Sequence, residues 1–253
     1  MKPPPMPPFP PILTLNLIYH VYPRADNPAC LANLLQIRKR LHLFNGKKIF
    51  ALARHQGEIP PDTIRRLLGP GCTFLEFPND PRLRDTATFL PLLRAVRSTD
   101  VTEATFYAHT KGSSPHIFLC ERLALATQYW RNAMYHALLD NTSQVRQALL
   151  KHPCVGAWLF DHTRTQRGTM TSPTGWTHGT WHYPGTFFWF RNDAFFANPD
   201  WAALGDDPWA NEMHLGGLFT ANQAHALLWR GPPNAPDTPS LYDPATYPNG
   251  IPD

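Results

Sequence analysis

Between Leu13 and Ala108, short apolar runs alternate with stretches whose apolar residues recur at helical spacing, and this alternation restricts the possible folds more than any other feature. Leu13–Tyr22 reads as a strand stopped by Pro23. Cys30–Leu43 then places Leu31, Leu34, Leu35, Arg38 and Leu41 at helical spacing. After the turn signal Asn45-Gly46, Lys48–Ala53 reads as a second strand, Thr63–Leu68 as a short helix, and Cys72–Phe77 as a third strand ended by Pro78-Asn79-Asp80. Arg84–Arg97 carries Phe89, Leu92, Leu93 and Val96 on one helical face, and Ala104–Ala108 reads as a fourth strand. A chain that leaves one strand and begins the next in the same direction needs a crossover, and right-handed crossovers return helices to the sheet. The expectation is a single α/β domain of Rossmann-like type, with a mostly parallel sheet flanked by helices.

The second half continues in the same manner. Ile117–Leu139 predicts a long helix buried along Leu119, Leu123, Ala126, Trp130, Met134 and Ala137, a stripe that core packing explains. Ser143–Leu150 adds a short helix, Val155–Phe160 a strand with Asp161-His162 at its end, and Tyr183–Arg191 an aromatic strand. Pro208–Thr220 reads as a final helix carrying Trp209, Glu212 and His214. Residues 1–12 are proline-dense and 231–253 rich in Pro, Asn and Asp, so both ends read as tails around a domain spanning 13–230.

With 253 residues and 43% hydrophobic content, the chain can bury one large core. The net charge of +4 is mild, and cations cluster only at Arg38-Lys39-Arg40 and Lys47-Lys48, so no nucleic-acid partner is expected. Four cysteines without C-x-x-C spacing read as reduced thiols. No signal peptide is recognised, and no segment approaches the roughly 20 apolar residues of a membrane span. A cytoplasmic location is expected, and peripheral association with a membrane stays open.

The tetrad His109-Thr110-Lys111-Gly112 ends the fourth strand, and ligands of open α/β sheets bind at such carboxyl ends. A cation, an imidazole and a glycine that lets backbone approach closely suit a phosphate or diphosphate. The alternative is a plain turn with its Lys in water. No G-x-G-x-x-G, G-x-x-x-x-G-K-[ST] or G-x-S-x-G sequence is present. His178 and His182 are four apart but lie in a loop without the intervening Glu of a zinc helix.

What remains is His109, Lys111, Asp161, Arg191 and Glu212. Lys111 and Arg191 suit stabilisation of a departing diphosphate, and Glu212 or Asp161 suits proton removal from an acceptor hydroxyl. Each has a structural alternative: Arg191 pairing with Asp193, Asp161 capping the next turn, Glu212 as a surface charge. In Phe187-Phe188-Trp189-Phe190, Trp189 fits either the core or a sugar-stacking face.

Tyr19-His-Val-Tyr-Pro23, Phe44-Asn-Gly46, Phe106-Tyr-Ala-His-Thr-Lys-Gly112, Trp130 with Met134, and Gly185-Thr-Phe-Phe-Trp-Phe-Arg191 together resemble bacterial glycosyltransferase-like proteins related to the rhamnan synthesis protein F group. The resemblance spans roughly Leu15–Phe219. It implies a GT-A-like fold and transfer of a hexosyl or deoxyhexosyl unit from a nucleoside-diphosphate donor to a glycan acceptor, in surface polysaccharide or lipopolysaccharide synthesis. It also implies substrate binding by His109, Thr110, Lys111, Gly112, Gly185, Thr186, Trp189 and Arg191, with Glu212 (second choice Asp161) as catalytic base. GT-A enzymes usually carry Asp-x-Asp at this strand end, holding a divalent metal. Here His109-Thr110-Lys111 stands there. No cofactor is therefore required by the sequence, although manganese or magnesium stays open. The departure leaves two readings: metal-independent transfer with Lys111 supplying the charge, or a non-catalytic module that binds nucleotide sugar or glycan. A His-dependent metal hydrolase is a third.

Overall fold

The computed structural model describes residues 9–114, 120–164, 179–233 and 235–247. Thr14–Val21 (β1), Lys48–Arg54 (β2), Thr73–Pro78 (β3) and Glu103–His109 (β4) form a parallel block in the order β3-β2-β1-β4. The crossovers are Pro28–Arg40 (α1), Pro61–Leu68 (α2) and Thr86–Val96 (α3). Helix α1 starts two residues before the expected Cys30 because Asn27 caps it, accepting from Ala29 N, while Pro28 fills the first turn.

Glu121–Tyr135 (α4) runs into a π-helical turn, His136–Asp140. Part of the expected helix before Glu121 lies outside the described residues. A π turn breaks the regular i+4 bonding. Side chains supply partners there: Trp189 Nε1 donates to Leu138 O at 2.9 Å, and Asn141 Nδ2 to His136 O at 3.1 Å.

Thr142–Leu149 (α5) leads to Cys154–Asp161 (β5), followed by Trp181–His182 (β6), Phe188–Arg191 (β7), Asn192–Ala197 (α6), Ala210–Leu218 (α7) and Ala224–Gly231 (β8). The aromatic strand is shorter than expected and antiparallel, wedged between β4 and β5. Strand β8 pairs parallel with β5, and β6 antiparallel with it. All strands but β6 and β7 therefore share one direction, and the domain is a mostly parallel sheet flanked by helices.

Period-two alternation divides the core between the two faces. Leu15, Leu17, Tyr19 and Val21 of β1, with Ala104, Phe106 and Ala108 of β4, pack with Cys30, Leu34 and Ile37 of α1 and with Trp130 and Met134 of α4. On the other face Ile18, Tyr107, Phe188 and Phe190 pack with α3, α6 and α7. Both segments expected as tails touch this core. Ile12 is buried and Phe9 N donates to Leu150 O, while Leu241 and Tyr247 are buried at the carboxyl-terminal end. Cys30 and Cys154 are buried, Cys72 is half-buried, Cys120 is exposed, and all four are free thiols.

Candidate functional site

Sheet growth reverses between β1 and β4: the chain adds β2 and β3 on one side of β1, then crosses to add β4 on the other. In an open α/β sheet the crevice outside the carboxyl ends of such a pair binds ligands. A cavity of about 320 Å³ lies there. His20 and His109 are register partners at the ends of β1 and β4, and alternation points both to the α3 face.

The tetrad folds as a tight turn against these strand ends. Ser113 N donates to Thr110 O at 3.2 Å, with Gly112 at φ +86°, the positive φ that a type II turn needs at its third residue. Thr110 joins the two strands: its N donates to His20 O at 3.0 Å, and its Oγ1 accepts from Tyr22 N at 2.9 Å. From α1, Asn33 Nδ2 donates to Lys111 O at 2.8 Å and Asn27 Nδ2 to Gly112 O at 3.3 Å. The Lys111 ammonium stands 3.7 Å from the centre of the Trp130 ring, a cation–π contact. Burial lowers the Lys111 pKa below the usual lysine range, while Glu212 and Asp85 act in the opposite sense. The Ser113 hydroxyl lines the same cavity, buried and without a partner among the described residues.

Three acidic or imidazole groups converge opposite. Glu212 lies in the first turn of α7, where its Oε1 accepts from Gly185 N at 2.9 Å. His109 Nε2 lies 3.2 Å from Gly185 O, and His109 Nδ1 lies 3.6 Å from Asp85 Oδ2. The N–H and C=O of one residue, Gly185, thus meet Glu212 and His109 respectively. Asp85 precedes α3 in helical conformation without capping it; its carboxylate instead accepts from Asn211 Nδ2 at 2.6 Å and from the Tyr107 hydroxyl at 3.3 Å. Burial raises the Glu212 pKa above the usual carboxylate range, against the pull of Lys111 and the Gly185 N–H. For Asp85 burial also pushes upward, but His109, His20 and the Asn211 amide outweigh it and hold it low. Burial lowers His20 to about 4 and His109 below the ordinary imidazole value, the latter against Asp85. The arrangement offers a cation for an anionic group and a carboxylate of raised proton affinity beside it.

No protein-family model matches the chain, and no curated protein matches it. Among similar solved structures is 4-diphosphocytidyl-2C-methyl-D-erythritol synthase from Anaerococcus prevotii, at 9% identity and TM-score 0.47 over 85% of this chain and 86% of that one. A protein described as a nucleotide-diphospho-sugar transferase from Desulfovibrio desulfuricans has 10% identity and TM-score 0.39 over 86% and 82%. The 2-C-methyl-D-erythritol 4-phosphate cytidylyltransferase of Francisella tularensis has 11% identity and TM-score 0.35 over 85% and 90%. At these values the likenesses bear on no residue of the site. The resemblance to the rhamnan synthesis protein F group rests on its motifs alone.

Of the residues expected in a site, His109, Thr110, Lys111, Gly112, Thr186 and Glu212 line the cavity, and Gly185 bonds to two of them. Three others are placed elsewhere. Arg191 lies at the opposite end of the sheet, since β7 runs antiparallel to β4 and pairs Arg191 with Ala104. It is fully buried, and its five donors are taken by Asp193 and by the carbonyls of Pro10, Leu149 and Val101. The Asp193 pairing is the structural alternative, realised. Trp189 is fully buried, stacked on Phe44 with ring centroids 5.8 Å apart, so alternation put it in the core. Asp161 lies outside this cavity and accepts from Thr163 N at 3.0 Å and its Oγ1 at 2.6 Å, a cap on the following turn.

Among the described residues no group of three or more His, Cys, Asp or Glu is gathered to hold a metal ion, and His178 lies outside them. The described residues assemble no ligand set for a divalent cation, and no step is derived through one. His20, Arg84, Asp85, Trp209 and Tyr242 also line the cavity and were not expected. His20 was legible: an apolar strand interrupted by His at its end matches the tetrad's own strand. Asp85 carried no such signal, because an Asp just before a helix reads as a cap. The two non-glycine residues with positive φ among the described residues, Arg84 (+54°) and Thr186 (+60°), both line this cavity. Such strain gathers at functional sites.

Proposed function

We propose that the cavity binds the diphosphate of a nucleotide-sugar donor, and that the protein is a glycosyltransferase working without a divalent cation. The observation that carries this reading is the Lys111 ammonium in a switch-point cavity that also holds Glu212, a half-buried carboxylate. Lys111 and Arg84 meet the diphosphate, and the Ser113 hydroxyl donates to a phosphate oxygen. An acceptor hydroxyl attacks the anomeric carbon as the bond from that carbon to the β-phosphate oxygen breaks. Its proton passes to Glu212, and the charge gained by the leaving group is met by Lys111. The resemblance of the motifs favours a hexosyl or deoxyhexosyl unit and an acceptor in surface polysaccharide synthesis, with the chemistry on the cytoplasmic side.

The test is a thermal-shift screen of nucleoside diphosphates and nucleotide sugars with and without manganese, repeated on Lys111→Ala. A ligand at a hundred times its Kd stabilises the native state by about 2.7 kcal/mol. The reading expects such a shift without manganese and its loss in Lys111→Ala. It fails if no nucleotide shifts the wild type, or if the variant binds equally well. The replacement of Asp-x-Asp by His109-Thr110-Lys111 favours a second reading, a non-catalytic module of the same fold. Donor binding with no nucleoside diphosphate released over a broad acceptor panel would establish that reading instead.

A further inference from the structure

Of the large hydrophobic side chains exposed on the described surface only two are aromatic: Trp209, 44% exposed, and Tyr242, 51% exposed. Both line the cavity that holds Lys111 and Glu212. Apolar surface rimmed by polar groups marks ligand-binding grooves, and here two aromatic side chains border an otherwise polar cavity.

Each ring is held in place. Trp209 begins α7 three residues before Glu212, with its N donating to Asp207 Oδ1 at 2.9 Å. The Arg84 guanidinium lies over its ring, 5.8 Å from the centroid. Tyr242 belongs to a carboxyl-terminal strap anchored by the buried Leu241 and Tyr247. Its ring meets Trp130 edge-on at 5.1 Å, and Trp130 in turn carries the Lys111 ammonium. The Tyr242 hydroxyl is raised above the usual phenol range first by burial and then by Glu212, with Arg84 acting oppositely, so it feels both groups.

We infer that Trp209 and Tyr242 form a carbohydrate-stacking subsite that seats the acceptor sugar against Glu212. A pyranose presents an apolar C–H face and a rim of hydroxyls. The aromatic rings match the face, and Glu212, Asp85 and Arg84 match the rim. A nucleobase also stacks, but the proton acceptor of the reaction lies one helical turn from Trp209, and the group that must approach it is the acceptor hydroxyl. The inference rests on the proposed transferase reading for the direction of transfer, not for the binding of sugar.

The experiment is binding of the full chain, without nucleotide, to an array of bacterial surface glycans, followed by titration of the bound oligosaccharides against tryptophan fluorescence. Trp209→Ala and Tyr242→Ala should weaken binding about tenfold or more, while Trp209→Phe and Tyr242→Phe retain most of it. Unchanged melting temperatures would exclude a folding defect, because both side chains are half exposed. Binding to no glycan, or equal binding by the alanine variants, overturns the inference. Glycan binding that depends on the two rings, in a protein that binds no nucleotide, would keep this inference and remove the transferase reading.

Discussion

Burial displaces the titrations of Glu212 and Lys111 toward each other, against their mutual attraction, and the sign of each shift fixes a pH profile. Glu212 acts as a base only when ionised. Its raised pKa means that activity falls as the pH drops through a value above the ordinary carboxylate range. Lys111 meets phosphate only when charged, and its lowered pKa means that activity falls again as the pH rises through a value below the usual lysine range. The expected kcat/KM profile is a bell with both limbs drawn inward, and Glu212→Gln should remove the acid limb with a kcat loss of about 10²–10⁴-fold. A normal acid limb in that variant would exclude Glu212 as the base. At this scale the sequence was partly legible. Chemistry-bearing residues at a strand end declared themselves, as the tetrad did. Arg191 and Trp189 misled, because the identity of a side chain does not reveal which end or which face of a strand it occupies once that strand runs antiparallel.

Among the elements, the turn around Gly185 couples the site to the core. Gly185 has φ +92°, and a Cβ there would lie 2.9 Å from Trp130 Cζ2 and 3.0 Å from Met134 Sδ. Its N–H also meets Glu212 and its C=O meets His109. Gly185→Ala should therefore cost about 2 kcal/mol or more in denaturant unfolding. It should also depress activity beyond that loss, since the peptide cannot move without releasing Glu212. Asn33→Ala belongs to the same scale. It removes the buried amide that holds Lys111 O, and should weaken donor binding more than it lowers the melting temperature. The strand–helix order from β1 to β4 was legible because periodicity and turn residues agree at every step. The antiparallel β7 was not, since its direction is set by pairing with β4 and β5 rather than by local propensity. The edge strand β8 and the helix α6 were likewise unread, the first because half-exposed edge residues show little alternation.

Across the whole molecule, Arg191 ties together the amino-terminal segment, the end of α5, the loop before β4 and the start of α6. Its guanidinium lies 4.4 Å from the Phe9 ring and donates to Pro10 O at 3.0 Å. Arg191→Leu strands several buried acceptors and should cost roughly 3 kcal/mol in urea denaturation, with nucleotide affinity intact in the folded fraction. Asp193→Asn should show the same loss in weaker form. An Arg191 variant as stable as the wild type would refute this role. The packed ends escaped sequence reading because proline-rich composition reports local stiffness and not where a single Ile12 or Tyr247 finds a core. One last consequence follows from the pairing of His20 with His109. Strands bonded side by side are spaced at about 4.8 Å and cannot part without losing their ladder. The base of the crevice is thus an inextensible seam, and descendants of this chain could admit bulkier ligands only by reshaping the walls at Arg84, Trp209 and Tyr242.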